Sequence, residues 1–162
     1  MKLEREQLVV KVREWLDAND WKYLEKADNG GDVMFVGGIG GLPPPYTDIQ
    51  FHLHVEEDCV QCFEMLPLKI EEGKRAAIAE FITKVNYILK YGSFEMDYSD
   101  GEVRYHIAVV ASSVVDSDGI INSEVMENLL GVSAFSLGKY SKGILSVVML
   151  GMSVDDAIKQ CD

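Results

Sequence analysis

Residues 75–109, RAAIAEFITKVNYILKYGSFEMDYSDGEVRYHIAV, join a helix, a corner and a hairpin with hardly a spare residue. Ile78, Phe81, Ile82, Val85, Ile88 and Leu89 recur at intervals of three and four, the spacing that puts side chains on one helical face. Glu71 and Glu72 stand where negative charge suits a helix N-terminus, and Glu80 precedes Lys84 by one turn. Gly92 is expected to stop this helix, because glycine takes the left-handed cap conformation without steric cost. The period then changes to two. Phe94, Met96 and Tyr98 alternate with Glu95 and Asp97, Asp100-Gly101 turns the chain, and Val103, Tyr105, Ile107 and Val109 carry the return strand.

Around this unit the chain reads as one domain over residues 1–162. At that length roughly 70% of the unfolded chain's surface is buried on folding, so no disulfide or metal staple is required. The opening residues Met1-Lys2-Leu3-Glu4-Arg5-Glu6 are charged where a signal peptide needs an apolar core. The longest apolar run, residues 143–152, is far short of the roughly 20 residues that span a bilayer. A soluble, cytoplasmic protein is expected. The formal charge of −12 argues against nucleic acid and against anionic membrane surfaces, both of which are met with Lys and Arg. Such acidity either maintains solubility or presents a surface to a basic or extended polypeptide.

Upstream, an amphipathic helix runs from about Leu3 to Asn19 with Leu8, Val12, Trp15 and Leu16 on one face. Residues 21–26 and 32–36 read as two strands or one hairpin around Asp28-Asn29-Gly30-Gly31, and residues 37–45, GGIGGLPPP, read as a loop. In residues 47–55, Ile49, Phe51, Leu53 and Val55 alternate with Gln50, His52 and His54, a strand with one buried face; residues 59–70 are its expected partner. Downstream, residues 111–122 read as a loop. A helical pattern starting at Val125 resumes at Leu137 after an expected break at Gly131-Val132-Ser133. Gly151 is the expected cap, and Ser153 with Asp156 opens a last short helix. The element order is α-β-β-β-α-β-β-α, a twisted antiparallel sheet of about five strands flanked by helices.

Few residues suggest chemistry. Cys59-Val60-Gln61-Cys62 is a CxxC, but it lies in a strand-like segment whose residues i and i+3 face opposite ways, away from the helix N-terminus that activates redox thiols. Cys161 alone cannot complete a four-cysteine zinc site. His52 and His54 share a strand face and His106 lies beside Arg104. If their strands were neighbours the three imidazoles could approach one metal, but no carboxylate pattern accompanies them and histidines on the outward face of a strand are usually just solvated, so no metal site is expected. The glycine-rich stretch lacks the Gly-Lys-Ser/Thr ending of a phosphate loop, and residues 112–118 lack the ligand spacing of a calcium loop. No cofactor is expected.

Arg75-Ala76-Ala77-Ile78-Ala79-Glu80-Phe81-Ile82, Val85-Asn86, Gly92-Ser93-Phe94-Glu95-Met96-Asp97 and Asp100-Gly101-Glu102-Val103-Arg104-Tyr105 resemble the YbjN-type family, described as "putative bacterial sensory transduction regulators". Ser123-Glu124, Tyr140 and Gly151-Met152-Ser153 follow in the expected order. The resemblance implies a small α+β domain similar to type III secretion chaperones, homodimeric, with no catalytic residues to carry over. It implies a non-enzymatic, chaperone-like regulator or adaptor that holds a polypeptide partner.

Phe63, Met65 and Leu66 are the candidate contact residues, because residues 61–67 form a strand whose polar face is incomplete; ordinary core is the commoner role for such side chains. Two other functions are open: a ligand sensor in which residues 37–45 close over a small molecule, and a metal protein or enzyme using His52, His54 and His106.

Overall fold

A computed structural model describes residues 4–27 and 32–162. Helix α1 (Arg5–Ala18) buries Leu8, Val9, Val12, Trp15 and Leu16, and it ends at Asn19-Asp20, where Asp20 adopts a positive φ of 58°. Four strands follow: β1 (Tyr23–Ala27), β2 (Val33–Gly40), β3 (Asp48–Val55) and β4 (Cys59–Lys69). Helix α2 (Glu72–Ile88), strands β5 (Ser93–Met96) and β6 (Glu102–Val110), and helices α3 (Ala111–Val114), α4 (Ser123–Leu150) and α5 (Val154–Lys159) complete the chain. The strands form one antiparallel sheet in the order β1-β2-β3-β4-β6-β5.

Among the described residues six strands therefore stand where about five were expected, because both halves of the first hairpin are strands. The expected turn at Asp28-Asn29-Gly30-Gly31, and Leu3 at the start of α1, lie outside the described residues. Residues 37–40 are not a loop but the end of β2. Gly37 serves close packing: a Cβ there would sit 2.5 Å from the Phe51 ring and 2.6 Å from the Lys22 carbonyl, whereas one on Gly38 meets only the Ile49 carbonyl at 3.9 Å.

The organising unit forms as its pattern requires, with Ile78, Phe81, Ile82 and Val85 buried. Its edges differ. Helix α2 ends at Ile88, whose side chain is exposed, and Leu89 is the C-cap in extended conformation. Gly92 instead lets the chain pass beside β6, since a Cβ there would lie 2.6 Å from the His106 carbonyl oxygen. Tyr98 belongs to the turn rather than to β5.

The region expected to be a loop, residues 111–122, holds α3 and a bridge between Val115 and Ile121. Helix α4 runs unbroken through Gly131-Val132-Ser133, with buried residues continuing from Met126 to Val147. Ser133 Oγ donates to the Leu129 carbonyl (2.6 Å), which satisfies a hydroxyl that would otherwise compete with the helix. At the far end Gly151 (φ 63°) caps α4, and Ser153 Oγ accepts from Asp156 N, as expected.

The buried residues of α1, α2, α4 and the inner strand residues Phe35, Phe51, Leu53, Val60, Cys62 and Tyr105 form one core. Glycines in α4 separate tight packing from empty space. A Cβ on Gly143 would lie 2.7 Å from Cys161 Sγ, 2.8 Å from Phe81 and 2.9 Å from the Ala157 carbonyl, whereas one on Gly138 meets nothing within 4 Å. Gly143→Ala is expected to cost about 1–3 kcal/mol through overpacking. Gly138→Ala is expected to stabilise by about 1 kcal/mol through helix propensity. Urea unfolding of the two variants checks both signs.

Candidate functional site

Strand pleating sorts the side chains into two sets. Val60, Cys62, Glu64 and Leu66 of β4 point to the helices, while Cys59, Gln61, Phe63 and Met65 point away. The antiparallel register extends the outward set across the sheet: His54 and His52 on β3, Arg104 and His106 on β6, and Glu95 on β5. Met34 and Val36 continue it on β2, opposite His54 and His52. Among the described residues every helix packs into the core on the other side, so this outward face has no second layer.

Phe63 stands at its centre. Its ring stacks on His106 (centroids 4.4 Å apart, 25° between planes) and meets His54 edge-on at 5.1 Å. The Arg104 guanidinium lies 4.2 Å from the ring centroid. The polar groups are chained. Gln61 Nε2 donates to Glu56 Oε1 (2.5 Å), His106 Nε2 meets Gln61 Oε1 (2.8 Å), His106 Nδ1 meets Glu95 Oε1 (2.7 Å), and Arg104 Nε donates to Glu95 Oε2 (2.7 Å). Partial burial pulls the Glu95 carboxyl upward, but the bonds from His106 and Arg104 outweigh it and leave the group below its ordinary value. Burial first, then His54 and Lys26, push the His52 imidazole below its usual range; its Nε2 lies 3.0 Å from Gln50 Oε1.

This geometry corrects three expectations. Strand β4 separates β3 from β6, so Phe63 occupies the space between His52 and His106 in their common row. Both His106 nitrogens already face protein partners, and the three imidazoles do not converge on one metal. Leu66 does not join Phe63 and Met65: it is 5% exposed and faces the core. With residues 37–40 inside β2, the loop expected to close over a ligand is reduced to residues 41–47.

The CxxC cysteines face opposite sides, and all three cysteines are free thiols. Burial, helped by Glu56 and Asp58, pushes the Cys59 thiol up to about 11, and burial raises Cys62 well above its ordinary value. Neither is an activated nucleophile at neutral pH. An apolar cleft walled by Ile107, Val109, Val125 and Leu129 lies between β6 and α4, on the helix side.

Sequence reasoning missed Glu64. It lies on the core side of β4 between Phe51 and Tyr105, is 0% exposed, and neither carboxylate oxygen has a hydrogen-bond partner. Burial alone pushes its carboxyl up to about 8.

Sheet order, one-sided helices and an outward face of aromatic, imidazole and guanidinium groups define an α+β protein built around a half-covered antiparallel sheet. The family model "YbjN: Putative bacterial sensory transduction regulator" matches residues 9–142, and the chain belongs to this family. No curated protein and no solved structure matches the chain. Among the described residues no helix is long and apolar enough to cross a membrane.

Proposed function

We propose that this chain is a non-enzymatic regulatory adaptor that binds a polypeptide partner on the uncovered face of its sheet, acting in the cytoplasm as a homodimer. The carrying observation is the outward placement of Phe63 and Met65 on a central strand, half-buried and flanked by Arg104, His106 and His54, with no helix above them among the described residues. Aromatic anchors bordered by polar and cationic groups supply most of the binding energy at protein interfaces. The homodimeric state and the chaperone-like activity rest on the family resemblance, and the acidic charge of −12 fits a basic or extended partner.

The test is affinity capture from native cells after mild cross-linking, comparing the wild type with a Phe63→Asp/Met65→Asp variant. A recurrent polypeptide is expected, and its recovery from the folded variant should fall at least about tenfold, as loss of a strong anchor predicts. Leu66→Ala serves as the contrast: it should lower stability by about 2–5 kcal/mol while leaving capture by the folded fraction unchanged. Unaltered capture by the folded double variant would sink the reading.

A further inference from the structure

Hydrogen-bond chemistry on the outward face restricts the protonation of one side chain. The short bond from Gln61 Nε2 to Glu56 Oε1 fixes the Gln61 amide, because the reversed orientation would press its oxygen against a carboxylate oxygen 2.5 Å away. Gln61 Oε1 is therefore an acceptor, and it faces His106 Nε2 at 2.8 Å. Glu95 Oε1, on the opposite side of the ring, is also an acceptor and faces Nδ1 at 2.7 Å. A neutral imidazole carries only one N–H. Both bonds form together only when His106 is the doubly protonated cation.

We propose that His106 is a proton-operated latch on the docking face, rigid when charged and released when neutral. This rests on the reading of that face as the partner site. Charged, His106 ties β4 through Gln61 to β5 through Glu95, and it lies flat against Phe63, whose ring also carries Arg104. The cation–π component of that stack exists only in the charged form. When the proton leaves, one of the two acceptors loses its donor, and either the ring or the Gln61 amide must turn. The groups facing the latch are Glu95 on β5, Arg104 on β6, Glu56 beside the β3–β4 turn, and His52 and His54 on β3; the helices lie on the opposite side of the sheet. His52, whose ring is held toward its neutral form, adds no competing cation in the same row.

The experiment uses the free, isotopically labelled full chain. Ring nitrogen signals of His106, the Gln61 side-chain amide and the Phe63 ring are followed by NMR from about pH 5 to 9, which spans the range where imidazoles change charge. The expected result is one shared midpoint for all three. Glu95→Gln should uncouple them and His52→Gln should leave them coupled. Gln61 and Phe63 signals that stay still while His106 titrates would overturn the latch, as would a shared midpoint that survives Glu95→Gln unchanged. No partner enters this measurement, so its failure is separate from failure of the capture experiment.

Discussion

Glu64→Met is expected to stabilise the protein, with a gain that grows as pH rises. Glu64 is the one charged residue among the described residues that is fully buried, and its oxygens have no partner. The sign follows from proton linkage. Burial raises the folded-state value from 4.5 to about 8, so the folded protein holds a proton that the unfolded chain has already lost. Stability is therefore unaffected below about pH 4.5, falls as pH rises, and above pH 8 is lower by on the order of 5 kcal/mol. Methionine has a similar volume and no charge, and it removes this slope. The carboxyls held low, among them Asp97, Asp100 and Asp156, act in the opposite direction at acid pH, but they do so equally in both proteins. Urea midpoints at pH 5, 7 and 9 provide the measurement. Glu64→Gln should flatten the profile as well, while keeping an unpartnered polar group. Parallel profiles for all three proteins would show that Glu64 reaches water.

Gly101→Ala is expected to cost at least about 3 kcal/mol, the sum of two effects. Gly101 has a φ of 80°, which costs an alanine about 1–2 kcal/mol. A Cβ there would also fall on the Ile70 carbonyl and lie 2.8 Å from the Ile70 nitrogen. Both contacts are backbone, so no side chain can swing aside. The site is also stitched together: Ile70 N donates to the Gly101 carbonyl (2.8 Å) and Gly101 N to the Asp97 carbonyl (2.8 Å). The tip of the β5–β6 hairpin is thereby fixed to the end of β4. Gly119→Ala isolates the first effect, since its φ is 75° and a Cβ there meets nothing within 4 Å. Thermal unfolding of both should show Gly101→Ala the more damaging by about 2 kcal/mol; equal losses would mean the hairpin tip yields freely.

The fold was readable wherever hydrophobic period and turn residues agreed. Ile78, Phe81, Ile82 and Val85 repeat at helical spacing, and Ile49, Phe51, Leu53 and Val55 alternate, so both elements formed as expected. Residues 37–40 failed because a glycine used for close packing against Phe51 cannot be told in sequence from one used for a bend. The break expected in α4 failed for a related reason: a glycine and serine within a long helix are tolerated when neighbouring positions remain buried.

The site was half legible. In β4, one face carries Gln61, Phe63 and Met65 and the other Cys62, Glu64 and Leu66, so hydropathy alone could not choose between them. The structure turned the lone carboxylate inward and the phenylalanine outward. The Phe63–His106 stack depended on β4 lying beside β6, a pairing between distant segments that no local pattern records.

That pairing also joins two strands far apart in the chain. Every other neighbouring pair in the sheet is consecutive in sequence, whereas α2 and β5 lie between β4 and β6 in the chain. Contacts between distant segments carry the larger loop-closure entropy and tend to form late. Phe63 and His106 belong to opposite sides of this seam. An amino-terminal fragment still emerging from synthesis has no such surface, and a partner that needs both rings would engage only chains that have finished folding.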